Sequence, residues 1–249
     1  MDSWLVRPQP LQNPKLRLFC CAYAGGSGWI FRPWAQQLPK NTRADVEICA
    51  IELPGRGKRL LEPAFTDLDE IVQVVGPQLL PLLDRPFAFF GHSMGALVAF
   101  ELCRWLRRAL ALKPLHFWAS AARAPHLSSE LPPMHNLSKA DFIERLKHYQ
   151  GTPLSVLNNA ELMDLMLPTL RADFTVLETY RYQPRAPFDF PITGLWGEND
   201  NIVSQTEVAA WQVHTSIFRL EAIAGDHFFL QQPLFVQTLL SALIELIDG

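Results

Sequence analysis

The sequence predicts a three-layered α/β fold, a mostly parallel sheet covered by helices on both faces. Three observations carry that expectation. Short apolar runs rich in β-formers recur along the chain, helical patterns separate most of them, and several runs are apolar throughout instead of alternating. Strand and helix signals in alternation indicate βαβ units, and strands apolar on both faces suit a parallel sheet buried from both sides. Ligands of such a sheet bind beyond the carboxyl ends of its strands.

The strand-like runs are Leu16–Ala22, Val46–Leu53, Pro86–Gly91, Leu115–Ala119, Pro191–Trp196 and Ile217–Ala222. The segment 121–183 breaks the rhythm: it opens with Pro125, Pro132 and Pro133 and continues with helical patterns from Ser138 and from Asn159. It reads as a helical lid inserted into one domain spanning 1–249. Its second helix carries Leu162, Met163, Leu165, Met166, Leu167 and Leu170, apolar over most of its circumference. Leu162 and Met166 are therefore candidates to line an acyl channel, with core packing as the competing reading.

Composition narrows the function classes. The chain is 49% hydrophobic and 19% charged with a formal charge of -3, an ordinary globular balance without the basic footprint of a nucleic-acid binder. The start Met1-Asp2-Ser3-Trp4 places an acid where a secretory signal carries bases, and no apolar run reaches the roughly 18 residues of a membrane span. A cytoplasmic monomer is expected. Cys20, Cys21 and Cys49 lie in strand-like runs and Cys103 in a helical pattern, without metal-ligand spacing or a disulfide framework, so buried reduced thiols are expected.

The strongest chemical signal is Gly91-His92-Ser93-Met94-Gly95, a G-x-S-x-G element between the strand-like Phe87-Ala88-Phe89-Phe90 and a helical run from Ala96. A serine nucleophile on a tight strand-to-helix turn needs this order, because the flanking glycines let backbones approach without Cβ clashes. The helix amino terminus then favours negative charge at the reacting centre, and the Met94 N–H is placed to be one oxyanion donor. A serine hydroxyl needs a base, and the base needs a carboxylate to fix its tautomer. On a nucleophile elbow of this kind the chain order is Ser, acid, His. That order selects His227, in Gly225-Asp226-His227-Phe228-Phe229, as base and Asp200, in Gly197-Glu198-Asn199-Asp200, as acid. Glu198 is the main competitor for the acid, and Asp226 is disfavoured because adjacent side chains diverge. His92, His116, His126, His135, His148 and His214 fit the base less well, by their places in the elbow, a strand start, the lid and a helix end. The second oxyanion donor falls in Tyr23-Ala24-Gly25-Gly26-Ser27-Gly28, with Ala24 leading and Gly25 beside it. No Lys-Ser, Lys-Thr or full G-x-G-x-x-G accompanies these glycines, which argues against nucleotide binding.

Four elements together resemble the type II thioesterases that accompany nonribosomal peptide and polyketide synthases, over nearly the whole chain. They are Ala24-Gly25-Gly26-Ser27 with Trp34 downstream, Pro54-Gly55-Arg56-Gly57, Gly91-His92-Ser93-Met94-Gly95-Ala96 leading to Ala99-Phe100-Glu101, and Gly225-Asp226-His227-Phe228-Phe229-Leu230. The resemblance implies an α/β-hydrolase fold with a mobile helical lid. It implies hydrolysis of acyl groups from carrier-bound phosphopantetheine, editing misprimed carriers; the serine chemistry itself requires no metal or organic cofactor. It assigns catalysis to Ser93, Asp200 and His227 and oxyanion binding to Ala24 and Met94.

Two departures, Ala22-Tyr23 where the family often has Pro-His and Gly225-Asp226-His227 where it often has Gly-Gly-His, bear on the pocket mouth, where Tyr23 and Gly25 are substrate-contact candidates. Since carrier proteins are commonly acidic, Arg104, Arg107 and Arg108 at i, i+3, i+4 spacing, or Arg56, Lys58 and Arg59 in one loop, are docking candidates, a solvated basic face being the bland alternative. Competing activities are a medium-chain acyl thioesterase and a carboxylesterase or lipase. A noncatalytic hydrolase-fold binding protein is the reading from another class.

Overall fold

Residues 4–40, 42–128, 132–149 and 154–248 are described by the structure, a computed structural model. The six apolar runs form strands within one or two residues of their sequence limits: β2 (Leu16–Cys21), β3 (Val46–Ile51), β4 (Phe87–His92), β5 (Phe117–Ser120), β6 (Ile192–Gly197) and β7 (Phe218–Ile223). A seventh, β1 (Leu5–Val6), pairs antiparallel with β3, Leu5 opposite Ile51 and Val6 opposite Ala50. Two residues are too few to show a period in the sequence. The helices are α1 (Arg32–Gln37), α2 (Leu68–Leu79), α3 (Met94–Leu110), α4 (Lys139–Tyr149), α5 (Leu154–Leu157), α6 (Ala160–Thr179), α7 (Gln205–Ala209) and α8 (Pro233–Asp248).

The sheet order is β1-β3-β2-β4-β5-β6-β7, parallel from β3 to β7. Alternate side chains of each central strand enter separate cores. Phe19 and Cys21 of β2, with Phe87 and Phe89 of β4, pack under α2 and α3, while Leu18, Cys20, Ala88 and Phe90 pack under α1 and α8. Burial of both faces is why these strands read as continuous apolar runs. The four cysteines are buried free thiols within these cores.

From β2 the chain steps to β3 on one side, then returns to β4 on the other. That reversal opens a crevice beyond the carboxyl ends of β2 and β4, the place where open α/β sheets bind ligands. The loop holding Ala24 leaves β2 there, and Ser93 leaves β4 there.

Between β5 and β6 lie α4, α5 and α6; residues 129–131 and 150–153 of this segment, and the His148 side chain, lie outside the described residues. Asn159 caps α6, its Oδ1 accepting the Leu162 N–H at 3.1 Å. The segment has its own small core, in which Phe142, Leu146, Met163, Leu170 and Phe174 meet. The apolar circumference of α6 is thus only partly buried: Leu162 and Leu165 are 42% and 50% exposed. Among the described residues no helix is long and apolar enough to cross a membrane.

Candidate active site

Only Ser93 separates β4 from α3, and its backbone stands at φ 54°, ψ -118°. A non-glycine residue held there is strained, and the surroundings show what holds it. A Cβ on Gly91 would lie 2.3 Å from the Gly95 carbonyl oxygen, and one on Gly95 would lie 2.1 Å from that of Cys21. The exit of β4, the first turn of α3 and the end of β2 are therefore in backbone contact, which only glycine permits. The Ser93 N–H donates to the Ser120 carbonyl at 2.8 Å, tying the elbow to the end of β5. Met94 opens α3, so its N–H has no carbonyl one turn earlier in the helix to receive it.

Asp200 and His227 come from the loops after β6 and β7. Their backbones also touch: the Asn199 N–H donates to the Gly225 carbonyl at 2.9 Å, and a Cβ on Gly197 would meet the Asp226 oxygen at 2.6 Å. The Asp200 carboxylate is fixed from both sides. Oδ1 accepts the N–H groups of Ile202 and Val203 at 2.8 and 3.0 Å, and Oδ2 accepts from His227 Nδ1 at 2.8 Å. The side chains are 0% and 4% exposed. An ionised carboxylate only accepts, so the imidazole carries its proton on Nδ1 and leaves Nε2 free to take one, the tautomer required of a general base. Glu198 and Asp226 are exposed, and Asp226 Oδ1 accepts the Phe228 N–H at 2.8 Å. Neither competes for His227.

Of the other histidines, His92 is fully buried, with Nδ1 2.9 Å from Ser120 Oγ, and burial pushes its pKa well below the ordinary imidazole range. It braces the elbow as a neutral group. Its ring stands edge-on to His227, centroids 5.4 Å apart.

The loop after β2 closes a turn in which the Gly26 N–H donates to the Tyr23 carbonyl at 2.8 Å, with Gly25 at φ 76°. The Gly25 N–H is engaged by Asp173 Oδ2 at 2.6 Å, whereas the Ala24 N–H has no acceptor among the described residues. Of the two neighbours weighed as oxyanion donors, Ala24 is the one with a donor to give.

A cavity of about 630 Å³ opens at Ser93, walled by Leu97, Ala122, Phe174, Leu177 and Ile202, with His126, Tyr180 and Tyr182 among its polar groups. Leu162 and Met166 do not line it. Helix α6 faces the cavity through Phe174 and Leu177, further along its length, while Met166 packs in the small core of the segment. Tyr23 is not in the wall either: its ring packs edge-on against Phe228 and His92, and burial raises its phenol pKa while a hydrogen bond from Gln231 opposes the rise.

The basic clusters fare differently from their spacing. Arg104 is buried; it pairs with Glu101 Oε1 at 2.7 Å and donates to the Gln183 carbonyl, and its guanidinium lies between Phe100 and Tyr182. Arg107 donates to the Ala186 and Pro187 carbonyls, both at 3.0 Å. These two arginines bind the approach to β6 to α3, and of the three only Arg108 is exposed. Arg56 and Arg59 are buried as well, Arg56 against Asp173 and Arg59 against Trp4 and Glu62, which leaves Lys58 as the exposed cation of that loop. Helical spacing identifies a shared face but not what packs on it. Asp173 escaped the sequence reading altogether. Its signal was an acid set among Leu170, Ala172, Phe174 and Val176.

The profile of the Thioesterase domain family matches residues 16–246. The chain belongs to the thioesterase family. This thioesterase is 41% identical over 248 residues to linear gramicidin dehydrogenase LgrE of Brevibacillus parabrevis, across 98% of this chain and 92% of that protein. It is 41% identical over 233 residues to gramicidin S biosynthesis protein GrsT of Aneurinibacillus migulanus, across 93% and 90%. It superposes on the type II thioesterase BorB from the borrelidin biosynthetic cluster with a TM-score of 0.86 and 33% identity, across 99% and 98% of the two chains. LgrE carries the name of a dehydrogenase, yet the matched family and BorB are hydrolases, and this sequence has no G-x-G-x-x-G dinucleotide loop. The chain is a type II thioesterase with the α/β-hydrolase fold.

Proposed function

We propose that this thioesterase hydrolyses acyl groups from phosphopantetheine thioesters on carrier proteins, with Ser93 as nucleophile, His227 as base and Asp200 as its orienting acid. The observation that carries the reading is the buried 2.8 Å bond between His227 Nδ1 and Asp200 Oδ2, which leaves Nε2 as the proton acceptor beside a cavity that opens on Ser93. His227 takes the Ser93 proton as Oγ attacks the thioester carbonyl. The Ala24 and Met94 N–H groups hold the oxyanion, and Asp200 steadies the imidazolium. The C–S bond then breaks. A thiol with a pKa of about 8.5 is a good leaving group, so acylation asks little acid assistance of His227. Water, deprotonated by His227, attacks the acyl-serine and releases the acid.

The carrier as partner is supported by the kinship with a gramicidin S biosynthesis protein and with a thioesterase of the borrelidin cluster. In that setting the enzyme edits misprimed carriers, and a monomer in the cytoplasm suffices. Hydrolysis of an acylated holo-carrier protein is compared with that of the matching coenzyme A thioester and p-nitrophenyl ester, using wild type and Ser93→Ala. Preference for the carrier form, abolished in Ser93→Ala, is expected. Equal or faster turnover of the oxyester would make this a general esterase instead.

A further inference from the structure

The cluster around Asp173 has no role in proton transfer, yet it touches the oxyanion loop directly. Asp173 and Arg56 are 2% and 5% exposed and form a two-pronged pair, Nη1 to Oδ2 and Nη2 to Oδ1, each at 2.8 Å. The same Oδ2 accepts the Gly25 N–H at 2.6 Å. One turn earlier on α6, Thr169 Oγ1 donates to the Gly55 carbonyl at 2.6 Å. Leu170 lies against Gly25, its Cδ2 only 2.6 Å from where a Cβ would stand. Thr169, Leu170 and Asp173 thus seat one face of α6 on the Pro54-Gly55-Arg56-Gly57 loop and on the loop after β2.

The turn Tyr23–Gly26 has glycine at its third position with φ 76° and a closing hydrogen bond, the type II pattern. Types I and II differ by a flip of the central peptide, here the one between Ala24 and Gly25. The N–H of that peptide is the group Asp173 grips. A buried ion pair contributes little net stability compared with a well-packed apolar pair, so stability alone is a weak reason for one here.

We propose that Asp173 is a positioning residue: from α6 it fixes the Ala24–Gly25 peptide, and the turn so held restrains the adjoining Tyr23–Ala24 peptide, whose N–H is the Ala24 donor, while α6 is seated. This rests on the reading that the Ala24 and Met94 N–H groups hold the oxyanion. Arg56 supplies the counter-charge and the second prong that sets the carboxylate's orientation. The helical segment and the oxyanion site are thereby one unit, competent together.

The test is the double variant Arg56→Met/Asp173→Leu, which replaces the ion pair by apolar side chains, assayed beside Ser93→Ala. The melting temperature is expected to stay within about 5 °C of wild type. Meanwhile kcat falls roughly 10–100-fold with KM nearly unchanged. The inhibition constant of an alkylboronic acid, which forms a tetrahedral adduct on Ser93, should weaken by the same factor as kcat. Recovery of full kcat in the double variant, with Ser93→Ala inactive, overturns the positioning role and leaves the serine mechanism standing. Activity in Ser93→Ala overturns the serine mechanism and this role with it. Should the double variant not fold, amide exchange in the wild type decides: Gly25 is expected to be protected alongside the α6 amides, and rapid exchange at Gly25 with α6 still protected overturns the proposal.

Discussion

Asp200 shows how little freedom a functional side chain has in this site. Two backbone N–H groups occupy Oδ1 and the imidazole occupies Oδ2, so an amide in its place could satisfy Oδ1 but would present an N–H to Nδ1. The histidine would then turn to the wrong tautomer. For Asp200→Asn we expect kcat for thioester hydrolysis to fall by about 10⁴ with the fold intact, and Glu198→Gln to stay near wild type. Steady-state kinetics with circular dichroism as the folding control checks this. A comparable loss in Glu198→Gln would move the acid. The sequence puts Asp200 first, with Glu198 as its competitor and Asp226 disfavoured by its adjacency to His227; the direction of the side chain, which chain order does not specify, separates Asp200 from Glu198.

Helix α3 links the site to the rest of the fold: its first turn faces the site and its last turns hold the approach to β6. Arg104 is sandwiched between Phe100 and Tyr182 and paired to Glu101, which also accepts from Tyr180 Oη at 2.7 Å. Removing the guanidinium leaves Glu101 and the Gln183 carbonyl short of a donor in a mostly buried place. Arg104→Ala is expected to cost about 2–4 kcal/mol, and Arg108→Ala less than about 0.5 kcal/mol, in urea denaturation. Equal effects would mean that the observed packing of Arg104 contributes nothing. The i, i+3, i+4 spacing was legible, but whether the face met solvent, a partner or the chain's own Gln183–Pro187 depended on a contact with residues some 80 positions away. Helix α6 carries the same lesson, since its apolar residues divide between its own small core, the cavity and solvent.

For the whole molecule, the half-buried His116 and the buried His214 bear on how stability responds to acid. Burial lowers the pKa of His116 and of His214 to about 4 each; Arg219 adds to the shift at His116, and His126 and Arg104 add to it at His214. His214 Nε2 lies 2.9 Å from His126 Nδ1, and its ring packs among Phe100, Trp211 and Tyr182. Unfolding returns both rings to water and a pKa near 6.5, so below that pH the unfolded chain binds more protons than the folded one. Their contribution is present in full above about pH 6.5 and is lost as pH falls towards 4. Urea midpoints between pH 7.5 and about 4.5 are expected to fall with acid, and less steeply in His116→Gln/His214→Gln. An unchanged slope in the double variant would assign the acid sensitivity to other groups.

The sequence by itself determined the layered α/β plan, the elbow at Ser93 and the place of His227, because each is written in neighbouring residues: period, glycine spacing and strand ends. The family resemblance rested on the same local motifs. Tertiary structure alone decided which carboxylate meets His227, that Gly25 gives its N–H to Asp173 and leaves Ala24 free, that Phe174 and Leu177 face the cavity in place of Leu162 and Met166, and that Arg56 and Arg104 are buried. Each of those is a choice between side chains of similar chemistry. It is made by distance and direction across the fold, which a linear pattern does not encode.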